Sequence, residues 1–239
     1  MRLARTGDGG VRSMILAAGR GERMRPLTDT LPKPLLKVGG VSLIERLIQA
    51  LVRGGLKDIL VNHAHLGQQI VATLGDGQRY GANIVYSHES EGGLETGGGI
   101  FRALDLLSDP FLVVNGDILT DYPFDRLSGA MSGLAQLTSG LAHIVLVNNP
   151  PHHPQGDFHL VGDRVMAQGV STFTFSGIGV YRKALFRDCS PGKFPLAPLL
   201  RAAMATGQVT GEHYAGRWWD IGTPERLAQL DKQCRADSW

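Results

Sequence analysis

The chain has 239 residues, 43% hydrophobic and 19% charged, with a formal net charge of +2. That length supports a complete α/β core, and so small a charge without a dense lysine–arginine run argues against a nucleic-acid partner. Cys189 and Cys234 are far apart and follow no metal-ligand spacing, which fits a reduced, cytoplasmic protein, and no apolar run is long enough to span a bilayer.

Residues 1–12 hold two early arginines but no apolar segment follows them. They read as a disordered extension rather than a secretory signal, ahead of a single domain over 13–239. Residues 13–18 (SMILAA) form a short apolar run closed by glycine, the pattern of a buried parallel strand. After a glycine-rich loop, Pro26, Pro32 and Pro34 forbid a long helix. From Ser42 the period changes: Leu43, Leu47, Ile48, Leu51 and Val52 share one helical face, Ser42 and Glu45 make a capping box, and Gly54-Gly55 stops the helix. The pattern then predicts a strand at 58–62 (DILVN), a helix at 67–74, a strand at 83–87, a helix at 97–107 and a strand at 111–115 (FLVVN). Such alternation predicts a Rossmann-like three-layer sandwich, α/β, with a mostly parallel central sheet. Beyond Asp125 the regularity loosens: strands are expected at 142–148, 172–181, 208–213 and 217–220, a hairpin at Gly162-Asp163, and helices at 196–205 and from Thr223-Pro224 to about Gln233.

Three stretches carry chemistry. Residues 16–28 (LAAGRGERMRPLT) put Gly19 and Gly21 after a strand, where missing Cβ atoms let backbone N–H groups approach a phosphate. The run is neither a dinucleotide fingerprint, since the third glycine is absent and Pro26 intervenes, nor a P-loop. Its cations sharpen it: Arg23, with Lys33 held between two prolines, suits fixed charges aimed at phosphate, whereas Arg20 and Arg25 read as ordinary surface arginines. Asp117 follows an apolar strand, and Asp220 precedes a capped helix. Carboxylates at strand ends point into the ligand crevice of such folds, and Mg²⁺ takes one or two of them together with water and phosphate oxygens.

As an ordered set, LAAGRGERMRPLT, PKPL (32–35), LETGGG (94–99), NGD (115–117), FSGIGVY (175–181) and WWDIGTPE (218–225) resemble the nucleotidyltransferase family acting on sugar 1-phosphates. The resemblance runs from Met14 to the last helix. NHAHLGQQI (62–70), LETGGGIF and NNPPHHPQGDFHL (148–160) are most similar to the subgroup that uridylylates N-acetylmuramic acid 1-phosphate in bacterial cell-wall recycling. It implies that Arg23 grips the β- and γ-phosphates, Lys33 neutralises the α-phosphate, and Asp117 and Asp220 hold Mg²⁺. It also implies nucleotide contacts from Leu16, Ala17, Ala18, Gly19, Gly21, Gln68, Glu95, Thr96, Gly97 and Asn115. Sugar-phosphate contacts are implied for Asn115, Asp157, Gly177, Asp220 and His153. The partners implied are a nucleoside triphosphate and a sugar 1-phosphate alone, with no membrane.

One departure is plain: residues 162–172 contain Asp163 and Arg164 but no Glu-Lys-Pro segment, the grip many relatives place on the sugar phosphate. His152, His153 and His159, with Arg182 or Arg201, are candidates to face the acidic lactyl group of the sugar. A guanylyltransferase for mannose 1-phosphate, a cytidylyltransferase for another small phosphate, and a silent nucleotide sensor stay open as alternatives. Only 19 residues follow Asp220, so no appended domain is expected and a monomer is favoured.

Overall fold

The computed structural model describes residues 11–89, 92–136 and 139–236. In chain order the elements begin with β1 (Val11–Leu16), β2 (Lys37–Val38), β3 (Val41–Ser42), α1 (Leu43–Arg53), β4 (Asp58–His63), α2 (Gly67–Leu74) and β5 (Asn83–His88). There follow α3 (Glu95–Ala103), β6 (Leu107–Asn115), β7 (Ile118–Thr120), α4 (Leu127–Gln136), β8 (Ala142–Val147), β9 (Phe158–Val161) and β10 (Arg164–Met166). The chain ends with β11 (Thr172–Tyr181), α5 (Ala197–Ala205), β12 (Val209–Tyr214), β13 (Trp218–Asp220) and α6 (Pro224–Ala236). Strand β1 starts two residues earlier than expected, taking in residues 11 and 12 of the anticipated extension; residues 1–10 lie outside the described residues.

The described residues form two compact units. The first comprises Ile15–Leu94, Asn115–Asp125 and 216–236. In it, β4 and β5 run parallel from Asp58↔Asn83 to His63↔His88, with α2 as the crossover. Helix α1 forms for the reasons its sequence states: Ser42 Oγ accepts from the Glu45 N–H at 3.4 Å, and the Glu45 carboxylate accepts from the Ser42 N–H at 3.3 Å. Its apolar face, Leu43, Ile44, Leu47, Ile48 and Leu51, is buried, each such side chain contributing about 1.5–3 kcal/mol. A core cluster of Met24, Leu36, Val38, Leu43, Leu119, Ile221, Leu230 and Cys234 sits beneath the loop, the β7–β13 ribbon and α6.

The second unit comprises 11–14, Glu95–Val114 and Arg126–Ala215. Here the expectation of a mostly parallel sheet gives way to a mixed one. Strand β11 is antiparallel to β6 and β8, β12 is parallel to β8, and β10 is antiparallel to both β12 and β9. The first two residues of β11 also pair with β9, so β8, β11, β9, β10 and β12 form a closed circuit of strands. For β9 and β10 the cause is local: their hairpin turns through Gly162 at φ 60°, a connection too short to carry a parallel crossover. Helix α4 was not expected, because Gly129 and Gly133 interrupt it and only Leu127 and Leu134 are buried along it.

Candidate active site

The loop after β1 is shaped by what lies on either side of it. The Ala17 N–H donates to Asn62 Oδ1 at 2.7 Å, and the Gly116 N–H donates to Leu16 O at 2.9 Å. A Cβ on Gly116 would overlap that same carbonyl, so the Asn115-Gly116-Asp117 turn approaches the loop at backbone distance. Ala17 and Ala18 are buried, while Gly19 has open space where a Cβ would stand. Gly21 is left-handed at φ 68°, and a Cβ there would come within 3.0 Å of Thr28 Cγ2 and 3.3 Å of Lys33 Cβ. Glycine at 21 therefore lets the lysine-bearing turn close on the loop.

Lys33 opens a short 3-10 turn (Lys33–Leu35) capped by Pro32. Its Nζ lies 2.5 Å from Asp117 Oδ2, with 12% of the lysine side chain and 36% of the aspartate exposed. Asp220 is brought alongside by the β7–β13 ribbon, where it stands opposite Ile118. The Ile221 N–H donates to Asp117 O at 2.9 Å. The Asp220 carboxylate is held in turn by Arg226 Nη1, at 2.8 and 2.7 Å from its two oxygens. Asp117 and Asp220 thus lie at neighbouring backbone positions, and each carboxylate has its own cation. Gly222, between Asp220 and Arg226, has the Arg226 guanidinium packed where a Cβ would be, with Arg23 Nη2 3.3 Å from that point. Arg23 is exposed and has no ion-pair partner among the described residues.

The other two arginines of the loop are braces. Arg20 donates to Thr28 O and to Asp29 Oδ1, both at 2.7 Å, and Arg25 donates to the same carboxylate at 2.9 Å. The Arg20 hydrogen bond, against a small opposing effect of burial and with help from Arg25, holds the Asp29 carboxyl below its ordinary range. Gln68 is exposed on the first turn of α2, and Asn115 is half-buried at the end of β6.

The remaining candidates belong to the second unit. Glu95 opens α3 at φ 60°, a left-handed conformation uncommon for a residue with a side chain, and Thr96 beside it is half-buried. Gly97 is buried against Phe194, whose ring would lie 2.5 Å from an added Cβ, and the Gly98 N–H donates to Phe194 O at 3.1 Å. The glycine run therefore also admits a neighbouring segment. Asp157 is fixed on both oxygens, one 3.1 Å from His153 Nε2 and the other accepting from the Phe175 N–H at 2.8 Å. Gly177, at φ 79°, sits in the bulge of β11 between Phe175 and Ile178. His159 is bonded through Nδ1 to the Ser171 carbonyl. Arg182 is tied to Asp109 at 3.0 Å and Leu134 O at 2.7 Å, and Arg201 lies 5.7 Å over the Phe158 ring. Among the described residues no group of three or more His, Cys, Asp or Glu side chains is placed to hold a metal ion.

Two features escaped the sequence reading. Arg226 carries no motif of its own; only the fold turns it back to Asp220. Asn62 ends the DILVN strand as Asn115 ends FLVVN, a parallel that marks both strand ends, but its partner Glu89 is 27 residues on.

The family model described as nucleotidyl transferase matches residues 12–157. The chain is 50% identical over 234 residues to the N-acetylmuramate alpha-1-phosphate uridylyltransferase of Neisseria meningitidis serogroup B, covering 96% of this chain and 100% of that protein. It is 30% identical over 236 residues to the enzyme of the same name from Caulobacter vibrioides, covering 93% and 96%. Among solved structures, a Bacillus anthracis protein assigned as a glucose-1-phosphate thymidylyltransferase superposes with a TM-score of 0.80 at 22% identity, over 94% of this chain and 95% of that one, which supports the fold. Among the described residues no helix is long and apolar enough to cross a membrane.

Proposed function

The chain belongs to the nucleotidyl transferase family, and from that premise we propose that it transfers UMP from UTP to N-acetylmuramate α-1-phosphate, releasing pyrophosphate, in the cytoplasm. The observation that carries this reading is the side-by-side placement of Asp117 and Asp220 across the β7–β13 ribbon, in the same unit as the glycine loop and Lys33. The likeness to the two uridylyltransferases supports the choice of base and sugar.

No protein nucleophile is needed. A sugar phosphate oxygen is anionic near neutral pH and attacks the α-phosphorus directly. As that bond forms, the bond from the α-phosphorus to the oxygen bridging it to the β-phosphate breaks, and pyrophosphate leaves with the electron pair. The obstacle is repulsion between two polyanions, which alignment and fixed positive charge offset. Lys33, on its proline-flanked turn, neutralises charge at the α-phosphate. Arg23, exposed and without a carboxylate partner, receives the departing β- and γ-phosphates. Gly19, open where a Cβ would stand, lets the triphosphate lie along the backbone. Asp117 and Asp220 offer the adjacent, partly exposed oxygen donors that suit Mg²⁺, and are the residues to hold it. When bound, Mg²⁺ supplies charge neutralisation shared between the nucleotide and the sugar phosphate. Gln68, Glu95, Thr96, Gly97 and Asn115 are assigned to the nucleoside, and Asp157, Gly177 and His153 to the acceptor sugar.

Pyrophosphate release by the purified protein with Mg²⁺ tests the reading in three arms: UTP with N-acetylmuramic acid 1-phosphate, UTP with N-acetylglucosamine 1-phosphate, and GTP with mannose 1-phosphate. Release confined to the first arm is expected. Release confined to the third would keep the chemistry and overturn both base and sugar.

A further inference from the structure

Glu89 is 1% exposed and Asn62 is 2% exposed, and the two side chains join segments that are distant in sequence. Asn62 Oδ1 accepts from the Ala17 N–H at 2.7 Å, Asn62 Nδ2 donates to Glu89 Oε1 at 2.6 Å, and Glu89 Oε2 accepts from the Leu94 N–H at 2.8 Å. The Glu89 N–H donates to His63 O at 2.8 Å, which fixes the start of the segment as well. No cation pairs with Glu89 among the described residues. A carboxyl group sequestered in this way costs stability unless every oxygen is well bonded. An apolar contact would join the two segments at lower cost. What the carboxyl group provides beside Asn62 is a pair of acceptors, one for the Asn62 amide and one that pins the Leu94 N–H at the end of a glycine-rich turn, where Gly92 and Gly93 both have positive φ and offer no rigidity of their own.

We propose that the buried Asn62–Glu89 bridge is a positioning device that sets the spacing between the loop after β1 and the segment leading into α3, and thereby the affinity for the nucleoside end of the substrate. The proposal rests on the nucleotidyl-transfer reading and adds to it two residues that touch no substrate. Ala17 and Leu94 are the backbone points it holds: one opens the loop that carries Gly19 and Gly21, the other immediately precedes Glu95 and Thr96. A bridge of three short hydrogen bonds defines that separation more narrowly than loop packing can.

Polarity exchange tests it. Glu89→Gln places two amide donors face to face or turns a donor on the Leu94 N–H, so one bond is lost in either orientation. In the double variant Asn62→Asp with Glu89→Gln, the new carboxylate accepts from both Ala17 N–H and the new amide, whose oxygen accepts from Leu94, so all three bonds return with only the central one reversed in direction. UMP and inorganic pyrophosphate affinities are measured by calorimetry, with KM and kcat for both substrates, well below each variant's own melting temperature. Glu89→Gln should weaken UMP binding and raise the UTP KM about tenfold or more, leave pyrophosphate affinity and the sugar-phosphate KM within about twofold, and be rescued by the double variant. Should Glu89→Gln fail to fold, Glu89→Asp, whose shorter side chain cannot span from Asn62 to the Leu94 N–H, is read in the same way. Unchanged UMP affinity despite a lowered melting temperature, equal loss toward UMP and pyrophosphate, or a double variant no better than the single would each overturn the proposal. If wild-type protein binds another nucleotide in place of UMP, the uridylyl reading falls while the bridge is judged on that nucleotide. Binding of no nucleotide by folded wild-type protein overturns both.

Discussion

Between Pro32 and Pro34 a lysine has little backbone freedom, and Gly21 allows the loop to close to within 3.3 Å of Lys33 Cβ, measured from where a glycine Cβ would stand. The ammonium is thus placed before any ligand arrives, which is what makes a charge effective at a developing transition state. Lys33→Ala should lower kcat by about 10²–10³-fold, while the urea midpoint moves little because the Asp117 partner is partly solvated. Lys33→Arg should not restore the rate, since a planar fork replaces a point charge. A steady-state assay beside a denaturation curve checks both. These residues were legible because a strand end, a glycine or a flanking proline constrains each locally. Arg226, Asn62 and Glu89 were not, because their meaning lies in partners that only the folded chain supplies.

Helix α1 shows how far local rules reach at the scale of an element. Its cap, apolar face and stop were all written in residues 42–55, and the structure keeps them, except that Ile44 is fully buried where Val52 is only half-buried. Ser42→Ala removes one acceptor from the capping box and should cost about 1 kcal/mol, read as a lower urea midpoint at unchanged m value with pyrophosphate release intact at 25 °C. A helix that loses nothing there would show that tertiary packing alone fixes its start. Burial also holds the Glu45 carboxyl partly up, but hydrogen bonds from Ser42 and Tyr80 and the charge of Arg79 outweigh it and draw it below its usual range. Helix α4 was illegible for the opposite reason: its two glycines and two buried leucines leave no periodic stripe. In α3 the family resemblance implies a nucleotide contact at Gly97, but the packing of that glycine against Phe194 depends on a residue 97 positions downstream.

For the molecule as a whole, acid stability is set in part by two histidines that fold in neutral form. Burial, then the nearby His88, lowers the His63 pKa, and His63 Nδ1 has no hydrogen-bond partner. Burial lowers that of His143, against the pull of Glu212 and Asp163. Both folded values lie below the unfolded one, so the unfolded chain binds these protons first. Their effect on stability is absent above about pH 7.5 and grows as pH falls through about 6.5 toward the folded values. Asp29 and Asp231, whose carboxyls are held low by the Arg20 hydrogen bond and the Gly39 N–H respectively, act in a separate window below about pH 4. The urea midpoint should therefore drop between pH 7.5 and 5.5, and less in the variant carrying His63→Gln and His143→Gln; an equal drop would assign the acid sensitivity elsewhere. At this scale the sequence indicated an α/β chain of the right family and the hairpin at Gly162-Asp163, but not the antiparallel pairing of β11 with β6 and β8, because strand direction depends on connections rather than on composition. The circuit of β8, β11, β9, β10 and β12 has a further consequence. Among the described residues each of its strands is paired on both sides, so the circuit has no terminal edge strand of the kind that templates amyloid-like growth, and the exposed Val161 on β9 stands opposite the charged Arg164.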